Sequence, residues 1–212
     1  MNEFQGFGKD LVKYYLALEE NNNREWFNAN RTMYDTNVAL PLKALAAELE
    51  AEFAPVKVFR PYRNVRFWPD LPPINEHASL IANTEGNAAY YLRIDADGVL
   101  MGAGMWQPSK NQLTKFRQIA ATDSGAKEIR KVLAKVEKAG FALMTDNAVK
   151  SAPRGFAKDH PNIDLLRLKS LALSQHWTLQ PWLYSPACLA TITKAWKAAS
   201  PWIEWLRSNL PE

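Results

Sequence analysis

The sequence predicts an α+β fold: a mostly antiparallel sheet of about 4–6 strands, packed by N-terminal and C-terminal helices. Three observations carry that expectation. Apolar residues recur at helical spacing over about the first 55 residues, alternating and apolar runs fill the middle, and helical spacing returns from Pro108. Helices, then strands, then helices with one late strand do not alternate as β-α-β, so crossover-connected parallel strands are not expected. The chain has 212 residues, 47% of them hydrophobic, and no internal repeat or low-complexity linker divides it. A single domain over residues 1–212 is the simplest expectation.

The elements follow in order. Leu11, Tyr14, Tyr15 and Leu18 make the stripe of a first helix, broken by Asn21-Asn22-Asn23. Asn22 with Glu25 three residues on resembles a capping box for a second helix carrying Trp26, Phe27, Met33 and Tyr34. Pro41 suits the first position of a third, with Leu42, Leu45, Leu49 and Phe53 inward. Val56, Val58 and Phe59 open a strand that Val65 and Phe67 continue, with Pro61 marking an edge, a bulge or a break. Ala78–Ala82 is a second strand. Tyr90–Ile94 and Val99–Trp106 form a hairpin whose Asp97-Gly98 supplies the positive φ of a tight turn. Gly102 and Gly104 leave one strand face open to a helix, a backbone or a ligand.

Ser109 with Gln112 forms a capping box before the stripe Leu113, Phe116, Ile119. Asp123 or Ser124 caps the next helix, built on Ile129, Val132, Leu133 and Val136 and closed by Gly140-Phe141 in a Schellman arrangement. Residues 145–162 read as loop, with a helical turn at Ile163, Leu165 and Leu166. Ser170–His176 reads as a late strand, and two helices close the chain, one around Leu189, Ile192 and Trp196 and one after Pro201.

Bulk chemistry narrows the function. The net charge is +4, without a block of like charges. This excess permits phosphate or nucleic-acid binding without implying it. A single cysteine, Cys188, rules out an internal disulfide, so nothing requires an oxidising compartment. The N-terminus has neither the basic nor the apolar region of a signal peptide, and no apolar run approaches the roughly 20 residues of a membrane span. The expected location is the cytoplasm, with no membrane partner. His77, His160 and His176 lack metal-ligand spacing, so no metal site is expected, and no motif identifies a cofactor or fixes the oligomeric state. Cys188, between Ala187 and Leu189, reads as a small buried hydrophobe.

Two segments concentrate chemistry. In residues 60–67, strand alternation puts Arg60, Tyr62, Asn64 and Arg66 on one face, with Arg63, Val65 and Phe67 on the other. Arg93, on the hairpin strand, joins them. Guanidinium groups bind oxyanions through a bidentate fork, so these residues are candidates for anion binding. In residues 152–164, Pro153-Arg154-Gly155-Phe156 displays an arginine on a turn, and Asp159-His160-Pro161 precedes Asn162 and Asp164. His160 titrates near neutrality and is a candidate acid or base, with Asp159 or Asp164 as its orienting carboxylate. The opposing reading makes the arginines ion-paired surface residues, Asp159 or Asn162 a helix cap, and His160 an exposed loop residue.

At these residues the chain resembles the uncharacterised proteins grouped as domain of unknown function 2461. The resemblance rests on Phe4-Gln-Gly-Phe7, Asn22-Asn-Arg-Glu-Trp-Phe27 with Asn30-Arg31 and Tyr34, Tyr62-Arg63, and Val65-Arg-Phe67. It continues through Tyr90-Tyr-Leu-Arg-Ile94, Gly102-Ala-Gly104 with Trp106, and Pro153-Arg-Gly-Phe156. Asp159-His-Pro161, Ile163-Asp-Leu-Leu-Arg167 and Lys169-Ser170 complete it. It covers nearly the whole chain and implies no reaction, so no catalytic residue carries over. After Phe67, where the family pattern continues with a serine, Asp-Lys and Pro-Tyr-Lys, this chain has Trp68-Pro-Asp-Leu-Pro-Pro-Ile-Asn75; the lysines and the tyrosine are absent.

The leading functional expectation is a pocket protein or enzyme acting on a small anionic or phosphorylated ligand. Arg60, Tyr62, Arg63, Arg66, Arg93 and Arg154 would bind it, and Asp159, His160 and Asp164 would orient it or move protons. The alternatives are a nucleic-acid module with Tyr62, Trp68 and Tyr91 as stacking platforms, and an interaction protein using the Trp-rich C-terminus (Trp177, Trp182, Trp196, Trp202, Trp205).

Overall fold

The periodicities resolve into an antiparallel sheet and its helices in the computed structural model, which describes residues 3–63 and 70–211. The helices are α1 (Leu11–Glu20), α2 (Arg24–Ala29), α3 (Arg31–Tyr34), α4 (Leu40–Phe53), α5 (Lys110–Ala120), α6 (Asp123–Glu137), α7 (Ile163–Leu166) and α8 (Ala187–Asn209). The strands are β1 (Val56–Val58), β2 (Ala78–Ala82), β3 (Ala89–Ile94), β4 (Gly98–Met105), β5 (Ala142–Leu143) and β6 (Leu171–Thr178), in the sheet order β1-β2-β3-β4-β6-β5. The α+β expectation holds. Val65, Arg66 and Phe67 lie outside the described residues. The chain gathers into two compact units. The first comprises Met1–Asn83, Tyr91–Met101 and His176–Lys194, the second Thr84–Tyr90, Gly102–Gln175 and Ala195–Glu212.

In the first unit, Leu11, Tyr14, Tyr15 and Leu18 bury the inward stripe of α1 completely. The cap of α2 is Asn23, whose side chain accepts the Trp26 N–H at 2.9 Å. Asn22, expected in that role, does something else, described below. Pro41 does not begin a separate helix. A π-helical stretch, Asp35–Ala39, joins α3 to α4 without a break. Proline has no N–H to return to the carbonyl four residues back. That carbonyl, on Asn37, instead accepts the Gly8 N–H at 3.0 Å. A side chain at Gly8 would collide with Asn37, so glycine is the residue that allows this repair. Helix α4 packs on β1 and β2 and buries Leu42, Leu45, Leu49 and Phe53.

The turn before β4 follows the expected chemistry. The Asp95 N–H donates to the Gly98 carbonyl at 3.1 Å, and Asp95 Oδ1 accepts the N–H groups of Asp97 and Gly98 at 3.0 and 3.1 Å. Gly98 has φ +152°, and a Cβ there would run into the Trp177 carbonyl.

In the second unit, Ser109 and Gln112 form the expected capping box on α5. The α6 cap is Thr122 rather than Asp123 or Ser124, its hydroxyl accepting the Gly125 N–H at 3.1 Å. Gly140 at φ +92°, with the Phe141 N–H reaching the Val136 carbonyl at 3.2 Å, closes α6 as a Schellman motif. Phe116, Ile129, Leu133 and Val136 form a core with Trp196, Trp202 and Trp205. Trp202 and Trp205 stack at 5.5 Å with a 4° interplanar angle. Their indole N–H groups donate to the Leu171 carbonyl and to Glu128 Oε1, both at 2.9 Å. A ring of this size removes about 150–250 Å² from water, roughly 4–6 kcal/mol gross before ordering costs. Gly104, at φ +122°, admits the Leu171 backbone and the Trp202 ring, so here the open strand face serves packing.

Pro201 does not divide the C-terminal helix. Helix α8 runs through it, because the buried stripe Ile192, Trp196, Ala199, Trp202, Ile203 and Leu206 continues on both sides. Burial on that scale outweighs the roughly 3 kcal/mol an interior proline costs.

Candidate ligand cleft

Val58 pairs with Leu80, and Tyr62 makes an isolated antiparallel bridge with Ile74. The step from Val58 to Tyr62 is four residues, while the return from Leu80 to Ile74 is six. The Asn75 N–H still reaches the Pro61 carbonyl and the Phe59 N–H the Ser79 carbonyl, so the surplus, residues 76–78, sits opposite Arg60. The ladder is interrupted beside Pro61, where an edge, a bulge or a break is expected. It cancels the simple alternation. Arg63, which alternation would put on the face opposite Arg60 and Tyr62, lines one cavity of about 370 Å³ together with them. Across from them Asn75, His77 and Ser79 line the same cavity, with Phe59 and Tyr91 completing it. All of these residues belong to the first unit.

Helix α2 and the segment before it support this cleft. The Asn22 side chain donates to the Ile74 carbonyl at 3.0 Å and to Glu76 Oε1 at 2.8 Å, and accepts the Ile74 N–H at 3.1 Å. It therefore imitates a neighbouring strand and holds residues 74–76 in place. Phe27 meets the Tyr62 ring edge-on at 5.3 Å. Arg31 lies over the Phe27 ring at 5.4 Å while paired with Asp35 at 3.0 Å. The Arg63 N–H and the Asn75 N–H tie the two strands together, donating to Pro73 and Pro61 carbonyls at 2.8 and 2.7 Å.

The charged groups differ in how far their charge is spent. Arg63 donates to Asn75 Oδ1 at 3.2 Å and to the Pro72 carbonyl at 3.1 Å, both neutral acceptors. The Arg60 guanidinium has no ion pair or hydrogen bond among the described residues. Arg93 donates to Asp95 Oδ2 at 2.8 Å, so its charge is committed to the carboxylate that also caps the β3–β4 turn. His77 is held below the ordinary imidazole value of 6.5, first by burial and then by Arg93 and Arg63, against the weaker opposing pull of Asp95 and Glu76. It is thus neutral at pH 7, able to accept a proton at one nitrogen and donate from the other. Ser79 is 5% exposed, and its hydroxyl has no hydrogen-bond partner among the described residues.

Sequence reasoning missed Asn75, His77 and Ser79 as site residues. Their signal was available: a period of two running into the Ala78–Ala82 strand. His77 was weighed only as a metal ligand, and among the described residues no group of acidic, His and Cys side chains could hold a metal ion.

The second predicted segment lies in the second unit and is built differently. Arg154 and Asp159 are exposed, and neither side chain has an ion pair or hydrogen bond among the described residues. Asp164 does not approach His160 as an orienting partner. It takes a bidentate pair of hydrogen bonds from Arg130 at 2.8 and 2.9 Å, which holds its carboxyl below the ordinary carboxylate range. His160 Nδ1 accepts the Asn162 N–H at 3.0 Å, which uses one of the backbone donors that an anion at this turn would need. Asn162 occupies the α7 cap position without a side-chain hydrogen bond to the helix. Gly155, at φ +92° with open space around it, is there for the turn alone. Arg66 lies outside the described residues.

Other candidates close. Cys188 is fully buried and its thiol is pushed up to about 12 by burial, so it supplies no thiolate nucleophile. Trp196, Trp202 and Trp205 are core residues, while Trp177 and Trp182 are half-buried and meet edge-to-face at 6.2 Å. Among the described residues, no helix is long and apolar enough to cross a membrane.

Residues 10–205 match the family described as Conserved hypothetical protein (DUF2461). The chain belongs to that family. No curated protein and no solved structure matches it.

Proposed function

We propose that this member of the family binds a small anion in the cleft between residues 59–63 and 75–79. One observation carries the reading: the cleft gathers positive charge and hydrogen-bonding capacity that the protein itself leaves unspent. Among the described residues Arg60 has no side-chain acceptor, Arg63 has only neutral ones, and the Ser79 hydroxyl and His77 imidazole have no partner. Ser79 is buried and His77 half-buried, so leaving them without partners is costly unless a ligand completes them, while exposed Arg60 adds its charge to the same cleft. Neutral His77 would be the proton-transfer group of this site if the bound anion reacts. The 152–164 segment is the weaker candidate, since Arg130 and the Asn162 N–H already engage Asp164 and His160.

Charge distribution favours a small anion over a polyanion. Asp and Glu outnumber Lys and Arg in the first unit, and the excess positive charge lies in the second. A nucleic acid would be repelled around the cleft that an isolated phosphate or carboxylate can enter. We further propose that the chain acts as one domain, because β3, β4 and β6 each contribute residues to both units. A single cooperative thermal transition is expected, and two separate transitions would refute that point.

Isothermal titration of the full chain with inorganic phosphate and with acetate tests the binding reading. Saturable one-site binding is expected, weakened at least about tenfold by Arg60→Ala. Affinity unchanged in that variant, or no heat with either anion, rejects it.

A further inference from the structure

We infer that the occupant of the cleft is a flat aromatic ring carrying a single anionic group; this rests on the anion-binding reading above and narrows it. Phe59, Tyr62 and Tyr91 supply three aromatic rings to one cavity. Phe59 and Tyr62 remain 40% and 37% exposed, although each is large and apolar enough to favour burial. Phe27, from outside the cavity, meets Tyr62 edge-on at 5.3 Å, and within it Phe59 and Tyr91 meet at 6.4 Å and 63°. The rings are therefore braced, with faces and edges left to a visitor. Aromatic walls of this kind favour a planar partner, through offset or edge-to-face contact worth more than the area alone.

Charge and size limit what that partner carries. Among the described residues no carboxylate lines the cavity, so a cationic ring finds no pairing group there. Arg60 is unpaired and Arg63 holds only neutral acceptors among the described residues, while the Arg93 charge is already met by Asp95. That supply suits one phosphate or one carboxylate. A volume of about 370 Å³ lies near the lower end of the roughly 300–1,000 Å³ range of ligand sites. It suits a single or fused ring with its anionic group, and is too small for a dinucleotide or a polymer. His77 and Ser79 would then hydrogen-bond the polar edge of the ring or the anion.

The test is a titration of the full chain with six probes: inorganic phosphate, acetate, benzoate, 2-naphthoate, adenosine 5′-monophosphate and adenosine. At least one ring-bearing anion is expected to bind about tenfold or more tightly than the ring-free anion of the same charged group. Adenosine, which has the ring without the charge, is expected to bind more weakly than its monophosphate. Comparing 2-naphthoate with the monophosphate separates carboxylate from phosphate as the favoured group. Phe59→Ala, at an exposed position, is expected to remove the ring-dependent gain, so that ring-bearing and ring-free anions bind alike; Tyr91→Leu repeats the test at the second ring. Ring-free and ring-bearing anions binding equally would overturn this inference and leave the anion site standing. Adenosine binding as tightly as the monophosphate would overturn the requirement for charge. Silence from all six would remove both the inference and the reading beneath it.

Discussion

Residues 59–79 and residues 152–164 look alike in sequence and end differently in the fold. Each combines arginine, proline, an aromatic ring and histidine close to carboxylates or amides. In the second segment the useful groups are either exposed or engaged: Arg154 and Asp159 face solvent, Asp164 is paired with Arg130, and His160 Nδ1 holds the Asn162 N–H. In the first, buried Ser79 and half-buried His77 line a cavity beside exposed Arg60, and none of these three side chains has a partner among the described residues. What distinguishes a site from a surface here is the unspent capacity of its polar groups in a confined space. The types of residue are nearly the same.

The contrast can be broken most severely at Asn22. Asn22→Ala removes three side-chain hydrogen bonds to residues 74–76. Leaving the Ile74 N–H and carbonyl unsatisfied should cost about 1–3 kcal/mol, read as a lower thermal midpoint, with loss of anion binding. An Asn22→Ala variant that keeps both stability and binding would show that the clamp does not shape the cleft.

The next largest effect separates the two arginines. Arg60→Ala should weaken anion binding at least about tenfold, or about 1.4 kcal/mol, while stability changes by no more than about 0.5 kcal/mol. Arg154→Ala should leave both unchanged. Equal losses in the two variants would merge the two segments into one site.

A smaller effect is expected from pH. Burial and the neighbouring Arg93 and Arg63 lower the His77 value in the folded state below 6.5. Between the two values the unfolded chain binds more protons than the folded one, so stability falls as pH falls. The contribution is fully present above 6.5 and is lost as pH drops through the lowered folded value. Thermal midpoints measured from about pH 8 down to pH 5 should decline less steeply in His77→Gln than in the native chain. Parallel profiles would mean that His77 titrates normally.

The smallest effect belongs to the Arg130–Asp164 pair, whose side chains are 47% and 58% exposed. A double-mutant cycle should give a coupling of about 0.2–1 kcal/mol, with anion binding untouched. A coupling well above that, or a binding defect, would give the 152–164 segment more than a surface role.

Much of this was legible beforehand. Leu11, Tyr14, Tyr15 and Leu18 are spaced for one helix face, and they bury it. Ser109 with Gln112, Asp95 to Gly98 and Gly140-Phe141 each use local hydrogen-bond chemistry that needs nothing distant, and each formed as expected. Errors arose where a local signal competed with a distant partner. Asn22 carries the chemistry of a helix cap, yet it is spent on Ile74 and Glu76, 52 and 54 residues away. Pro41 and Pro201 carry the chemistry of helix breaks. The Gly8 N–H and a continuous buried stripe, respectively, let the helices run on.

By itself, the sequence determined the α+β class, the helix faces, most strand positions, the hairpin turn and the presence of arginine at residues 60 and 63. These follow from periodicity and nearest-neighbour hydrogen bonding, whose range is a few residues. The tertiary structure alone decided that His77 and Ser79 share a cavity with those arginines, and that Arg93 and Asp164 spend their charge elsewhere. The slip between Val58–Tyr62 and Ile74–Leu80 turns Arg60, Tyr62 and Arg63 into one space. Which polar groups remain unpaired is a property of the whole arrangement, because hydrogen bonds and ion pairs saturate. A group's availability depends on every neighbour that could have used it first.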